Sequence, residues 1–326
     1  MPSVYVTRVI PKPGIDRLRA RGYRVDVNEP DTPLTGEQLR EKAAEYDALV
    51  TLLTDGIDGR VLEAGKGHLK IVANVAVGYD NIDVPAASAA GILVTNTPGV
   101  LTETTADFAW SLLMAVGRRV VEGDAFFRAG KYKGWGILML LGEDIYGKTL
   151  GIVGFGRIGQ AVAQRATGFS MDILYYDPVI EAEEAARRVG ARRVDLDTLL
   201  AQSDFVTVHT PLTSETRHLI GMPQFQKMKP TAYLINTSRG PVVDEEALVQ
   251  ALRDNVIRGA ALDVYENEPE PHPGLTSLEN AVLTPHIASA SRETREKMAT
   301  MAADNVIAVF EGQAPPTPVN PDVLEK

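Results

Sequence analysis

The sequence of 326 residues contains no cysteine, which excludes disulfide cross-links, thiolate metal sites and a cysteine nucleophile. It has no apolar run near the roughly 18 residues that would suggest a membrane span. Its first residues, MPSVYVTRVI, begin at once with strand-like alternation and lack the charged-then-apolar pattern of a secretory leader. Long basic runs are missing, and 33 Lys and Arg against 43 Asp and Glu leave a net charge of −10. Nucleic acid and anionic membrane surfaces are therefore poor partners. Histidine is scarce, with five in the chain. The expectation is a soluble, cytoplasmic protein.

What is present is apolar content of 44%, enough to fill two cores in a chain of this length. The first hundred residues alternate strand-like runs, SVYVTRV (3–9), YRVDV (23–27), ALVTLL (48–53), KIVANVA (70–76) and ILVTN (92–96), with helical patterns. One such helix opens with Thr35 and has Gln38 three residues on, the spacing of a capping box. A second alternation begins at Thr149, with strands TLGIVG, DILYYD, FVTVHT, YLINTS, GAALDVY and AVLTP. Strand and helix repeated with short loops predict α/β architecture, with parallel sheets covered on both faces.

Between the two alternations lies TPGVLTETTADFAWSLLMAVGRRV (97–120), a helix too apolar for a one-sided surface position. Burial between domains or subunits and a place in one domain's core both fit it. The next stretch, RAGKYKGWGILMLLGEDIYGK (128–148), reads as an irregular arm with exposed apolar residues. A final helix over 291–312 precedes a Pro-rich tail, expected to run back over another domain.

In Gly154-Phe155-Gly156-Arg157-Ile158-Gly159 a strand pattern closes and a helix pattern opens. The following strand ends in an acid, Asp177, 18 residues after Gly159. That context turns a common glycine spacing into a dinucleotide-binding fingerprint. Gly154 allows a tight turn, Gly156 lets a pyrophosphate approach the backbone, and Gly159 lets the helix pack on the strand. Arg157 and Ile158 open the helix, whose free N–H groups meet the phosphates. Asp177 favours the ribose hydroxyls of NAD over a 2′-phosphate, and residues 178–181 hold no Lys or Arg to offset it.

Hydride transfer needs a group to handle the carbonyl proton. His68, His218 and His272 sit in polar or Pro-flanked loops, and His209 ends a strand before Thr-Pro. His286 ends AVLTPHIAS just before the last helix. Arg239 follows the strand of LINTSRG, and Glu266 and Glu268 lie in the loop of LDVYENEP. All three segments follow strands of one sheet, so their tips can converge. An Arg fork suits a carboxylate, a His suits proton transfer, and a carboxylate orients the His.

GFGRIG, NTSRG, LDVYENEP and TPHIAS closely resemble the D-isomer-specific 2-hydroxyacid dehydrogenase family. IVANVAVGYDNIDV and VTNTPGVLTETTAD resemble its glyoxylate and hydroxypyruvate reductases in particular. The resemblance spans nearly the whole chain. It implies two doubly wound parallel-sheet domains, with a Rossmann NAD-binding domain (99–288) inserted into a flavodoxin-like substrate domain (1–98 plus 289–326). It implies a homodimer built on the 100–120 helix and the arm. Carried over, Arg239 binds the 2-oxo acid, Glu268 supports His286, and His286 donates the proton, whereas Glu266 matches no catalytic position. Val77 and Gly78 offer N–H groups to the substrate carboxylate. Thr105, Thr210, Thr237, Asp263 and Ala288 line the cofactor.

The same resemblance narrows the substrate. Val77 stands where phosphite-oxidising members have lysine, and Glu268 where formate-oxidising members have glutamine. VTLLTDGID lacks the arginine of the phosphoglycerate enzymes. Leu53 and Val77 imply a small, partly apolar pocket that fits glyoxylate, then hydroxypyruvate, with the pyruvate-to-D-lactate reaction behind. Asp177 departs from the NADPH-using glyoxylate reductases, which carry a basic residue there, and argues for NADH. The arm is shorter than in those relatives, so Trp135 and Met139 receive no substrate contact. A transcriptional corepressor that senses NADH shares this fold and triad and is the alternative from another class.

Overall fold

The computed structural model describes residues 1–325 and divides into two compact units, Met1–Leu101 with the segment from Ala290 onward, and Thr102–Ser289. No helix among the described residues is long and apolar enough to cross a membrane.

The first unit carries β1 (Ser3–Val6), β2 (Arg24–Val27), β3 (Ala48–Thr51), β4 (Ile71–Asn74) and β5 (Leu93–Thr95). They form one all-parallel sheet in the order β2-β1-β3-β4-β5, the flavodoxin-like order. The three inner strands are buried at every position, as a parallel sheet covered on both faces requires. Each strand is shorter than its sequence pattern, losing one to three residues at one or both ends to the adjoining loops. The helix Gly36–Glu45 has its expected capping box: Gln38 N donates to Thr35 Oγ1 at 3.2 Å, and Thr35 N to Gln38 Oε1 at 2.9 Å. The final helix, Arg292–Phe310, is capped by Ser291 and presses on Gly14 of the helix Lys12–Arg19, where a Cβ would come within 2.6 Å of the Ala299 carbonyl oxygen. The Pro-rich tail runs along β5. Val319 N donates to Val94 O, and Val94 N to Asn320 Oδ1, both at 2.8 Å, so the sheet's edge is covered.

The second unit carries β6 (Thr149–Val153), β7 (Asp172–Tyr176), β8 (Arg192–Arg193), β9 (Phe205–Val208), β10 (Tyr233–Asn236), β11 (Gly259–Leu262) and β12 (Ala281–Leu283). The sheet is all-parallel in the order β12-β11-β10-β9-β6-β7-β8. The winding reverses between β6 and β9, and the crevice beyond their carboxyl ends is where ligands bind in such sheets. The two-residue edge strand β8 has no counterpart in the sequence reading, since both its residues are exposed arginines.

The apolar segment at 97–120 forms a helix over Thr102–Gly117, beginning after the Pro98-Gly99 break. Ala106, Ala109, Trp110, Leu112, Leu113 and Val116 are buried in the second unit's own core, and Trp110 Nε1 donates to Val162 O at 3.1 Å. Its apolar excess is thus satisfied within one domain. A separate helix, Val120–Arg128, follows a left-handed Arg119 (φ 52°) and buries no residue. From Ala129 to Lys148 the chain has neither helix nor strand, and Trp135, Ile137 and Leu138 are more than two-thirds exposed at 76%, 71% and 78%.

Candidate active site

The glycine turn joins β6 to the helix Arg157–Ala166 at the point where the sheet's winding reverses. Gly154 has φ 92°, and a Cβ there would lie 2.8 Å from the His209 carbonyl group at the end of β9. A Cβ on Gly159 would run into the Gly154 carbonyl oxygen, so the helix rests directly on the turn. Gly156 differs from both, because its nearest neighbour would be Ile180 Cδ1 at an ordinary 3.7 Å. Packing within the protein does not require glycine at that position. Gly156 is also the helix N-cap and brings no side chain to the N–H groups of the first turn, where Arg157 and Ile158 lie.

Asp177, buried just beyond β7, ties the turn together. Its Oδ2 accepts from Phe155 N at 2.8 Å, and its Oδ1 from Val179 N at 2.9 Å and Ile180 N at 2.8 Å. A carboxylate offers about four acceptor positions. Three are taken by backbone, so one acceptor position is left. Residues 178–181 are without a cation, as read, yet Arg193 of β8 donates from Nη2 to the Asp177 carbonyl oxygen at 2.7 Å. Sequence reasoning missed Arg193 because a neighbouring strand brings it there.

Along the same sheet edge Thr210 and Thr237, after β9 and β10, are buried, and among the described residues their hydroxyls have no partner. Thr105 is buried at the start of the helix Thr102–Gly117. His209 Nε2 lies 2.8 Å from Thr207 Oγ1, and burial pulls its pKa from 6.5 to about 3, so it is a neutral ring. Orphaned hydroxyls, an uncapped helix start and a Gly156 that no protein neighbour crowds fit a dinucleotide. Asp263 turns its carboxylate to the loop after β12, accepting from Thr284 Oγ1 and Ala288 N at 2.7 Å and Ile287 N at 2.8 Å. Burial raises its pKa against these donors. It grips the loop that carries His286.

His286 is held in the left-handed region (φ 55°), with Nδ1 2.8 Å from Glu268 Oε2. Burial pushes the Glu268 carboxyl up, but the His286 hydrogen bond and charge, the Tyr265 N–H and the Arg239 charge outweigh it. Its pKa lies below the ordinary 4.5. Arg239, half-buried after β10, is placed by Gly240, where a Cβ would collide with the Tyr265 backbone. The structure thus brings Arg239, Glu268 and His286 to one place. Glu266 goes elsewhere, accepting from Glu245 N at 2.8 Å and pairing with His218 at 3.0 Å. His272 pairs with Glu246 at 2.9 Å, and His68 lies 3.1 Å from the Glu45 carbonyl oxygen.

In the first unit, Leu53 lies in the loop after β3, and Val77 and Gly78 lie in the loop after β4. The Val77 carbonyl accepts from Asn96 Nδ2 at 2.8 Å and the Gly78 carbonyl from Asn74 Nδ2 at 3.1 Å. These side-chain amides orient the loop. The N–H groups of Val77 and Gly78 have no acceptor among the described residues.

Residues 110–288 match the family model described as D-isomer specific 2-hydroxyacid dehydrogenase, NAD binding domain. The chain is 54% identical to the glyoxylate reductase of Korarchaeum cryptofilum, over 99% of this chain and 97% of that one. A Thermus thermophilus protein of known crystal structure superposes with a TM-score of 0.91 at 46% identity, covering 97% and 99% of the two chains. The NADPH-dependent glyoxylate/hydroxypyruvate reductase of Sinorhizobium meliloti superposes with a TM-score of 0.83 at 33% identity, over 98% of each. With matches of this extent, the chain belongs to the D-isomer specific 2-hydroxyacid dehydrogenase family of nicotinamide-dependent oxidoreductases.

Proposed function

We propose that this protein is a cytoplasmic, homodimeric reductase of small 2-oxo acids, with glyoxylate first and hydroxypyruvate second, and that it uses NADH in preference to NADPH. The observation that carries the chemistry is the 2.8 Å contact of His286 Nδ1 with Glu268 Oε2, with the Arg239 charge felt at the same carboxylate. Bound nicotinamide supplies the hydride. With Nδ1 committed to Glu268, His286 is left its Nε2 to give a proton to the substrate's carbonyl oxygen. Arg239 provides a planar fork for the substrate carboxylate. The Gly154–Gly159 turn holds the pyrophosphate, and Asp177 takes a ribose hydroxyl. Thr105, Thr210, Thr237 and Ala288 line the cofactor.

The glyoxylate preference rests on the name of a relative 54% identical over nearly the full chain. The NADH preference rests on Asp177, against a structural neighbour that is NADPH-dependent. The test is a panel of glyoxylate, hydroxypyruvate and pyruvate with each coenzyme. Glyoxylate-dependent oxidation of NADH is expected to have the highest kcat/KM. Equal or better use of NADPH overturns the coenzyme assignment. Coenzyme binding without turnover on any 2-oxo acid would instead make the protein an NADH sensor.

A further inference from the structure

We propose that Arg193 is a second determinant of coenzyme choice, placed to meet a phosphate on the 2′ position of the adenosine ribose and so to set how far NADPH is tolerated. This inference rests on the proposed role of the glycine turn and Asp177 as a dinucleotide site.

Arg193 stands on the edge strand β8, in register with Tyr175 of β7, and Val194 N donates to Tyr175 O at 3.0 Å. The side chain runs past its own register position toward the carboxyl end of the sheet, where Nη2 donates to the Asp177 carbonyl oxygen at 2.7 Å. That contact puts a guanidinium beside the residue that meets the ribose. A guanidinium has five N–H donors. No carboxylate among the described residues pairs with Arg193, so its remaining donors and its full charge are available from the exposed side.

The Asp177 charge is meanwhile tempered. Three backbone N–H groups hold its two oxygens. An acid at this place disfavours a 2′-phosphate, and an arginine nearby accommodates one. This chain has both. The acid is fixed by the turn, and the arginine is contributed by a strand that the local sequence around Asp177 does not contain. Coenzyme choice is therefore a balance of two residues 16 positions apart, and Asp177 alone does not set it.

The experiment measures calorimetric Kd values for ADP-ribose and 2′-phospho-ADP-ribose, fragments that bind without turnover, on the full chain. Arg193→Gln should raise the ratio of the 2′-phospho Kd to the ADP-ribose Kd about fivefold, the worth of one solvent-exposed charged contact. Arg193→Glu should raise it further, and Arg193→Lys, which keeps the charge but not the fork, should restore part of it. The effect should shrink as salt rises from about 0.05 to about 0.5 M, because an exposed charge is screened. The NADPH to NADH ratio of kcat/KM should move in step. A ratio that does not change, or equal weakening of both fragments, overturns the inference: Arg193 then only braces the Asp177 turn, and the reductase reading stands. If the native protein binds neither fragment, the dinucleotide reading and this inference fall together.

Discussion

Glu266 and Glu268 lie in one loop and are sent to different histidines, Glu266 to His218 at 3.0 Å and Glu268 to His286 at 2.8 Å. The Arg239 charge is felt at Glu268, and an experiment can separate the two pairs. Glu268→Gln keeps shape and a hydrogen bond but removes the charge that favours the imidazolium. Because reduction uses the protonated ring, kcat for glyoxylate should fall in this variant and stay near native in Glu266→Gln. Glu268 itself is held below its ordinary 4.5, so it remains ionised across the neutral range where the variants are compared. His286→Ala should lose about 10²–10⁴ in kcat, the usual worth of a positioned acid. A native kcat in Glu268→Gln would refute the pairing's role. Arg239→Lys keeps the charge but loses the planar fork. It should impair kcat/KM for glyoxylate by at least about tenfold and leave the calorimetric Kd for NADH close to native. A Lys variant with native kinetics would make Arg239 structural.

At the scale of elements, the three glycines of the turn are predicted to behave differently although they look alike in sequence. Gly156→Ala meets only an ordinary contact with Ile180, so its thermal stability should stay within about 0.5 kcal/mol of native. A methyl facing the coenzyme should nevertheless weaken NADH binding. Gly159→Ala collides with the Gly154 carbonyl and forces the helix off the turn. It should lose about 1–3 kcal/mol of stability, the cost of overpacking. Thermal denaturation with calorimetry on both variants checks this, and equal destabilisation would mean that Gly156 also serves packing. The turn was legible in the sequence because glycine spacing, strand burial and the acid after β7 are all local signals. The long apolar helix was legible as an element, but its location was not, since buried in one core and buried between bodies leave the same composition. β8 was not legible: two exposed arginines carry neither alternation nor apolar content, and the strand exists only because β7 offers it an edge. Likewise the three backbone donors on Asp177 and the grip of Asp263 on the His286 loop depend on how the chain folds back at the strand ends, and no spacing rule encodes that.

For the whole molecule, the segment from Val120 through Leu141 presents apolar side chains that its own unit does not cover. Val120, Val121, Phe127, Trp135, Ile137, Leu138 and Leu141 are all more than half exposed. Single exposed apolar residues need no explanation, but a run of this kind on one stretch of chain marks an interaction surface. A second copy of the chain is the partner that the proposed homodimer supplies. Two copies each of net charge −10 repel, so apolar burial must carry the association and added salt should strengthen it. Sedimentation equilibrium is expected to give the mass of two chains for the native protein. Trp135→Ser combined with Leu138→Ser is expected to shift it toward one. The variant should keep ADP-ribose binding, because the glycine turn and Asp177 lie in one unit of one chain. A native protein that sediments as a single chain at both low and high salt would show that this surface faces something other than a second copy. A variant that dimerises as tightly as the native protein would place the interface away from the arm.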